Sequence, residues 1–438
     1  MWYKLYTILF HLGFLSAFPW LAWNAWRTGK SREGLADRFG RLRRPWLEKI
    51  SSSHPIWIHA VSVGEAQMLP PLLERLKKRY PAVPVVVSTN TVTGQEVAKA
   101  QPLVDGAFFV PLDFGWAVRA ILQRLQPRIL IILETEIWPN LIREPTLRDI
   151  PVVFLNGRIS NHSFGRYLRI RPLLREVLKL PSAFGMRSDL DAQRITQMGA
   201  PARRIHVLGN LKFESAYQLV ASGNPLSPDD FNLHPGNRLI VGGSTFPGEE
   251  EMLIRIYDRL HSRYPETRLL LAPRHPRRFE EAAQVILASG HSLWRRSSRL
   301  REGGGDTEPP VLLLDVMGEL KHVYGLADLV FIGKSMGLTP AGAGGQNPLE
   351  PAAWSKPILF GPRMENFGEV AQDLLATGGA VEIESEEDMV REASELLEDR
   401  EAAIQMGNAA FSLIEKSLGA ADRCCELIDD ILLHSPDG

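Results

Sequence analysis

Short runs of apolar, often β-branched residues recur along most of this chain, with amphipathic stretches between them, and few architectures accommodate that alternation. In the first half the runs predict strands at 56–60, 83–88, 107–110, 129–133, 151–155, 183–186 and 205–208. Helical patterns fill the intervals, for example 65–79, 117–125 and 189–198. The run from Ile129 to Leu133 shows no polar alternation. A strand of that kind is buried on both faces, which implies a parallel sheet covered by helices. Between 218 and 237 Ser, Gly, Asn and Pro accumulate, and a linker is expected there. The alternation then resumes, with strands at 239–242, 268–272, 311–314, 329–332, 357–360 and 380–383, and a surface loop at 299–310. A chain of 438 residues exceeds what one core holds. The expected fold class is therefore α/β, with two doubly wound, Rossmann-like domains facing a cleft and ligands at the carboxyl ends of the strands.

The N-terminus departs from this pattern. From Met1 to Trp26 the one charged residue is Lys4, and Trp2, Trp20, Trp23 and Trp26 lie within the run. Arg27, Lys30, Arg32, Arg38, Arg41, Arg43 and Arg44 follow at once. A signal peptide needs small residues at its cleavage site, and Trp20-Leu21-Ala22-Trp23-Asn24-Ala25-Trp26 is a poor one. The run is about long enough to span a bilayer, although His11, Pro19 and Asn24 interrupt it. Interfacial tryptophans followed by basic residues predict an N-terminal membrane-anchor helix over 1–30, with the remainder on the cytoplasmic face of the inner membrane. A buried core helix is the alternative. The net charge of −1 provides no field for nucleic acid. Cys424 and Cys425 are adjacent, which suits neither a disulfide framework nor a metal site.

The second half carries a glycine-rich run, Gly342-Ala343-Gly344-Gly345-Gln346-Asn347-Pro348-Leu349-Glu350, directly after a predicted strand and loop. Glycines let backbone approach a ligand. Asn347 can cap a helix opening at Pro348, whose unpaired N–H groups suit a phosphate. Glu350 can accept hydrogen bonds from two neighbouring hydroxyls of a ribose. The alternative is an ordinary capped helix after a flexible loop. Gly242-Gly243-Ser244-Thr245, Pro273-Arg274-His275-Pro276 and Met317-Gly318-Glu319-Leu320 also follow predicted strands, so all four would share one edge. Arg274 can grip a phosphate or carboxylate with two prongs, and His275 can donate beside it. Together they favour a nucleotide site.

In the first half, His59-Ala60-Val61-Ser62-Val63-Gly64-Glu65 reads as strand, turn and helix start. Glu65 is either a site carboxylate or one that serves the helix end. Glu134 and Glu136 close a buried strand and point to one side. Charge there is costly without a partner or a role. Arg158 follows the next strand, and Arg166, Arg169, Arg171 and Arg175 follow on a helix that binds phosphates, lies on a membrane or is simply solvated. Asp189 and Asp191 have a metal-binding spacing, but capping explains them more cheaply. There is no Walker loop, nucleophile elbow or His/Cys metal cluster.

With these motifs in this order, the sequence resembles the family of 3-deoxy-D-manno-oct-2-ulosonic acid (Kdo) transferases of lipopolysaccharide assembly. The matching segments are 59–65, 134–140, 156–160, 209–213, 273–276, 317–320 and 344–351. The resemblance implies a GT-B fold with a membrane anchor at 1–30, an acceptor-binding domain at 31–217, a linker at 218–237, a CMP-sugar domain at 238–419 and a helix crossing back at 420–438. It implies metal-independent, inverting transfer of Kdo from CMP-Kdo to a lipid A precursor beside inner-membrane lipids, with no cofactor. Arg274, Gly318, Leu320, Asn347 and Glu350 would handle CMP, with Ser244, His275, Gly345, Gln346 and the hinge residue Lys212 completing the donor set. Ser62, Gly64, Glu65, Glu134, Glu136 and Arg158 would face the acceptor. The general base would be the carboxylate before an Arg-aromatic-Gly turn, where this chain carries Asp37 and the family Glu. Many relatives carry His where Gln346 stands. A UDP-sugar transferase acting on another membrane lipid, or an inactive scaffold of the same fold, are the competing readings.

Overall fold

The computed structural model describes residues 2–28, 34–42, 44–50, 53–221, 223–298, 311–338 and 344–433. Lys30, Arg32, Arg43, Gly342, Ala343 and the 299–310 segment lie outside them. The chain divides into two compact units, Met1–Ser215 with Leu418–Gly438, and Ala216–Ser417.

The first unit is built on seven strands: β1 (Ile56–His59), β2 (Val85–Thr89), β3 (Gly106–Phe109), β4 (Ile129–Leu133), β5 (Val152–Gly157), β6 (Ala183–Met186) and β7 (Ile205–Val207). All pair in parallel, in the order β3-β2-β1-β4-β5-β6-β7. The unbroken apolar runs arise because each face has its own core. Ile56, Ile58, Ile129 and Ile131 point into one, and Trp57, Leu130 and Ile132 into the other. In the helix Leu69–Arg79, Leu69, Leu72, Leu73 and Leu76 form the buried stripe. The C-terminal helix Ala420–Leu433 buries Cys424 and Cys425 in the same core. Arg75 links to Asp422 at 3.1 Å and to Glu214 at 2.7 Å.

The second unit repeats the plan with β8 (Arg238–Thr245), β9 (Thr267–Pro273), β10 (Leu293–Arg295), β11 (Val311–Leu313), β12 (Leu329–Ile332), β13 (Ile358–Phe360) and β14 (Ala380–Glu382). Again every pairing is parallel, in the order β10-β11-β9-β8-β12-β13-β14. The strand β10 has no counterpart among the sequence expectations. It is a short edge strand whose residues are all half-buried. Gln218 to Ala221, assigned to the linker, continue the helix Leu211–Ala221, since no helix breaker precedes residue 222.

The expected membrane-anchor helix is not supported. Trp2–Thr28 forms a helix of 27 residues. Among the described residues, however, no helix is long and apolar enough to cross a membrane. Polar residues interrupt the apolar run, and two of them are used against the first unit. Tyr6 Oη donates to Asp113 at 2.7 Å, and the Tyr3 hydroxyl bonds Asn140. Phe10 and Phe14 meet Phe114 edge-on, at 5.1 and 5.0 Å between ring centres. The inner-membrane, cytoplasmic-face location inferred from an anchor is corrected with it.

One glycine sets how closely the helix Arg400–Glu415 approaches the segment that follows the helix Leu349–Ala353. A Cβ on Gly407 would stand 1.9 Å from the Ser355 carbonyl oxygen. Gly407→Ala would gain about 1 kcal/mol of helix propensity. The clash is with backbone, however, and overpacking costs about 1–3 kcal/mol. The variant is therefore expected to melt below the parent protein, which thermal denaturation followed by circular dichroism will measure.

Candidate active site

In the first sheet the strand order reverses between β1 and β4, the position where α/β sheets open a crevice at their carboxyl ends. Both strands deliver carboxylates there. Just past β1, the helix Val63–Ala66 places Glu65 so that its side chain turns back on the loop. Glu65 Oε2 accepts the Val61 N–H at 2.5 Å, and Oε1 accepts the Ser62 hydroxyl at 3.1 Å. Glu65 is 5% exposed. Burial, reinforced by the charges of Glu134 and Glu136, pushes its carboxyl up to about 8, against the pull of the Val61 and Ser62 hydrogen bonds. Gly64 lies in the same turn, where a Cβ would make ordinary contact with Ser62 Oγ at 3.9 Å.

Beyond β4, Glu134 adopts a left-handed backbone with φ 57°. Lys212 Nζ donates to Glu134 Oε1 at 2.9 Å. Burial alone would raise Glu134, but Lys212, with Arg187 and Arg158, holds it below the usual carboxylate range. Glu136 Oε2 accepts the Trp138 indole N–H at 2.9 Å. The Arg158 backbone N–H donates to Thr135 Oγ1 at 2.8 Å, tying the exits of β4 and β5 together. Lys212 is held from behind by two asparagines. Asn210 Oδ1 accepts the Lys212 amide at 3.0 Å, and Asn156 Oδ1 accepts the Leu211 amide at 2.9 Å. Ser62, Gly64, Glu65, Glu134, Glu136, Arg158 and Lys212 therefore share one sheet edge, with Lys212 paired to a residue expected to face the acceptor.

Asp37 meets the same carboxyl edge further along, at the end of β3. It sits in the helix Leu35–Arg38 and is 2% exposed. Its Oδ2 takes Arg44 Nη2 at 2.5 Å and the Phe109 amide at 3.2 Å. Phe109 ends β3, which β2 separates from β1, so it stands about 12 Å along the edge from the reversal point. Asp191 is also committed, to the Ile159 amide at 2.7 Å and the Ser188 hydroxyl at 2.7 Å. Those bonds complete the cap of the helix Asp189–Met198.

In the second sheet the order reverses between β8 and β12. Because all strands are parallel, the loops after β8, β9, β11 and β12 leave from one edge. Ser244 has a left-handed φ of 54°. The Arg274 amide donates to Thr245 O at 3.1 Å, and Arg274 Nε reaches Gln346 Oε1 at 3.2 Å. His275 stacks edge-on with Phe246 at 5.6 Å. Partial burial, then Arg274, Arg277, Arg278 and Lys334, lower its pKa, so the ring is neutral near pH 7. Gly318 is exposed with φ 89°, and Leu320 opens the short helix after it.

The glycine-rich run departs from the expected phosphate cradle. The helix that follows is the five-residue Leu349–Ala353, with Asn347 Oδ1 accepting the Leu349 amide at 3.1 Å. The Gly344 amide is taken by Glu365 at 2.8 Å, and the Gly345 amide by Lys334 O at 2.7 Å. Both N–H groups are thus spent on shaping the loop. Gly344 is required there, because a Cβ would lie 2.4 Å from the Arg363 carbonyl oxygen. Asn347 Nδ2 donates to Glu350 Oε1 at 3.2 Å. Burial raises the Glu350 carboxyl, while Asn347, Lys321 and Arg274 pull it back. Sequence reasoning passed over Glu249, Glu250 and Arg278. The one available signal was the run of glutamates at the start of a helix.

Two parallel doubly wound sheets, each with polar groups gathered at its carboxyl edge, are consistent with the GT-B fold class. A likeness of TM-score 0.59 to UDP-GlcNAc 2-epimerase from Neisseria meningitidis, at 12% identity over 86% of this chain and 100% of that one, supports the fold alone. The family model described as 3-deoxy-D-manno-octulosonic-acid transferase matches residues 33–215. The 3-deoxy-D-manno-octulosonic acid transferase of Haemophilus influenzae is 33% identical over 414 residues, 93% of each chain. That of Bordetella pertussis is 31% identical over 427 residues, 94% of this chain and 95% of the relative. The chain belongs to the 3-deoxy-D-manno-octulosonic acid transferase family, and it is a glycosyltransferase enzyme.

Proposed function

We propose that this chain moves Kdo from CMP-Kdo to a hydroxyl of a lipid A precursor, with inversion, and that Glu65 is the general base. The carrying observation is the grouping of Glu65 with the Lys212–Glu134 pair at the edge where the first sheet reverses, with burial raising the Glu65 carboxyl to about 8. A base works best with a pKa near the working pH. Glu65 is turned toward its own loop by two hydrogen bonds and has no cationic partner among the described contacts. Asp37, by contrast, is ion-paired with Arg44 and bonded to the β3 end, which suits a structural brace. In the reaction the acceptor oxygen bonds to the anomeric carbon and gives its proton to Glu65. The bond from that carbon to the CMP phosphate oxygen breaks, and CMP leaves with the electron pair. Lys212 offsets negative charge on the sugar carboxylate or the departing phosphate. In the second unit Arg274 and Ser244 serve the phosphate, Glu350 the ribose, and Asn347 holds Glu350. Gln346, His275, Gly318, Gly345 and Leu320 lie on the loops of that same sheet edge.

Incubation of the purified protein with CMP-Kdo and lipid A precursor is expected to add the mass of Kdo to the lipid. Calorimetry is expected to find CMP bound more tightly than UDP. Tighter binding of UDP defeats the donor assignment, and an unchanged lipid mass defeats the acceptor assignment.

A further inference from the structure

Four loops carry the donor-side residues of the second unit, and three of them, after β8, β9 and β12, are fastened to two adjacent carboxylates at the start of the helix Glu249–His261. Glu249 is 1% exposed. Its Oε2 accepts the Phe246 amide at 2.9 Å and the Lys334 amide at 2.7 Å. Its Oε1 accepts the Ser335 amide at 3.0 Å and the Met336 amide at 3.4 Å. One carboxylate thus fills a nest of three successive N–H groups on the loop after β12, where Lys334 bends the backbone at φ 59°. The same Lys334 gives its carbonyl to Gly345. The chain of contacts therefore runs from Glu249 straight to the glycine-rich segment.

Glu250 is fully buried. Its Oε1 accepts the Thr245 hydroxyl at 2.7 Å and Arg278 Nη1 at 2.8 Å, and its Oε2 accepts Arg278 Nη2 at 3.1 Å. Arg278 ends the turn after Arg274 and His275 and is itself 6% exposed. The Thr245 carbonyl, in turn, is the acceptor for the Arg274 amide. The two-pronged pair therefore joins the exits of β8 and β9. Buried ion pairs are often replaceable by apolar groups at no cost in stability, so stability alone is a weak reason to keep this one.

We infer that Glu249 and Glu250 are positioning residues for the donor, Glu249 setting the loop that supports Gly345 to Glu350 and Glu250, through Arg278 and Thr245, setting Ser244 and Arg274. This rests on the donor-site reading above. Both carboxylates are buried; Glu249 acts through the backbone amides it holds and Glu250 through the side chains of Thr245 and Arg278. In Glu249→Gln the side-chain volume persists, but an NH2 group replaces one acceptor and faces N–H groups. The loop must shift to relieve that, and displacement of about 1 Å can cost on the order of a hundredfold in function.

The test is CMP binding by calorimetry on the full-length protein, alongside melting temperature and steady-state kinetics. Glu249→Gln and Arg278→Lys are both expected to weaken CMP binding, by about tenfold and by about threefold or more. Both should raise KM for CMP-Kdo and leave KM for the lipid acceptor unchanged. A lowered melting temperature with unchanged CMP affinity in the folded variants overturns the inference, because a merely structural brace behaves that way. Should Glu249→Gln fail to fold, Arg278→Lys decides. It keeps a cation beside Glu250 and loses only the fork, and CMP affinity equal to the parent's overturns the inference. A parent protein that binds no CMP sinks the donor-site reading and this inference together. A parent that binds CMP while the variants bind it equally well sinks this inference alone.

Discussion

Glu65→Gln is expected to lower kcat for Kdo transfer by about a thousandfold, in the middle of the range that positioned general bases supply. The substitution keeps the shape of the protonated acid and removes its capacity to accept a proton. Because the folded protein raises the Glu65 carboxyl to about 8, only part of the enzyme carries the active base at pH 7. In the parent, kcat/KM should therefore climb with pH and level off above about 8. Stability should move the opposite way. A raised carboxyl contributes stability that is complete below its ordinary value and is lost as pH rises through the folded value. The Gln variant has no such loss. At pH values above about 8 it should melt higher than the parent, with the difference shrinking toward acid. Activity lost together with stability gained would separate a catalytic carboxylate from a structural one. A variant with near-normal turnover removes Glu65 from the role.

Lys212→Met should reduce kcat by about a hundredfold or more, the usual consequence of deleting one group aimed at developing charge. The side chain length is nearly kept, so packing changes little. Two effects combine. The site loses the cation offered to the sugar carboxylate and phosphate, and Glu134 loses the partner that pulls it below the carboxylate range. Glu134, without that cation, should protonate at higher pH, adding an acid limb to the variant's pH–rate profile. Binding of CMP alone should change much less than turnover if Lys212 acts on the transition state. An equal loss in both would place Lys212 in ground-state binding of the nucleotide.

The sequence carried most of the two sheets because of burial. A parallel strand covered on both faces favours apolar residues on both, and Ile129 to Leu133 and Leu329 to Ile332 are apolar and buried at every position. The strand β10 escaped for the converse reason. Leu293, Trp294 and Arg295 lie at the sheet edge, where half-burial leaves the pattern open. Motif order located the loops at the carboxyl edges, since a loop after a parallel strand can leave from one end only.

How each carboxylate is engaged was not legible. Asp37 and Glu65 both lie in family-like motifs, and a string of letters does not record that Arg44 folds back onto Asp37 while Glu65 accepts from Val61 and Ser62. The N-terminal run of tryptophans and leucines likewise left open what would meet it. Tyr3 and Tyr6 decide that by bonding to Asn140 and Asp113, more than a hundred residues away. The Glu249 nest is the same kind of case, a side chain matched to amides 85 to 87 residues further along. From sequence alone came the fold class, the two repeated sheets and the edges on which chemistry gathers, because local hydrophobic period and strand direction are properties of short segments. Charge state, access and the bracing of the donor loops depend on partners distant in the chain, and those exist only once the backbone has brought them within hydrogen-bonding reach.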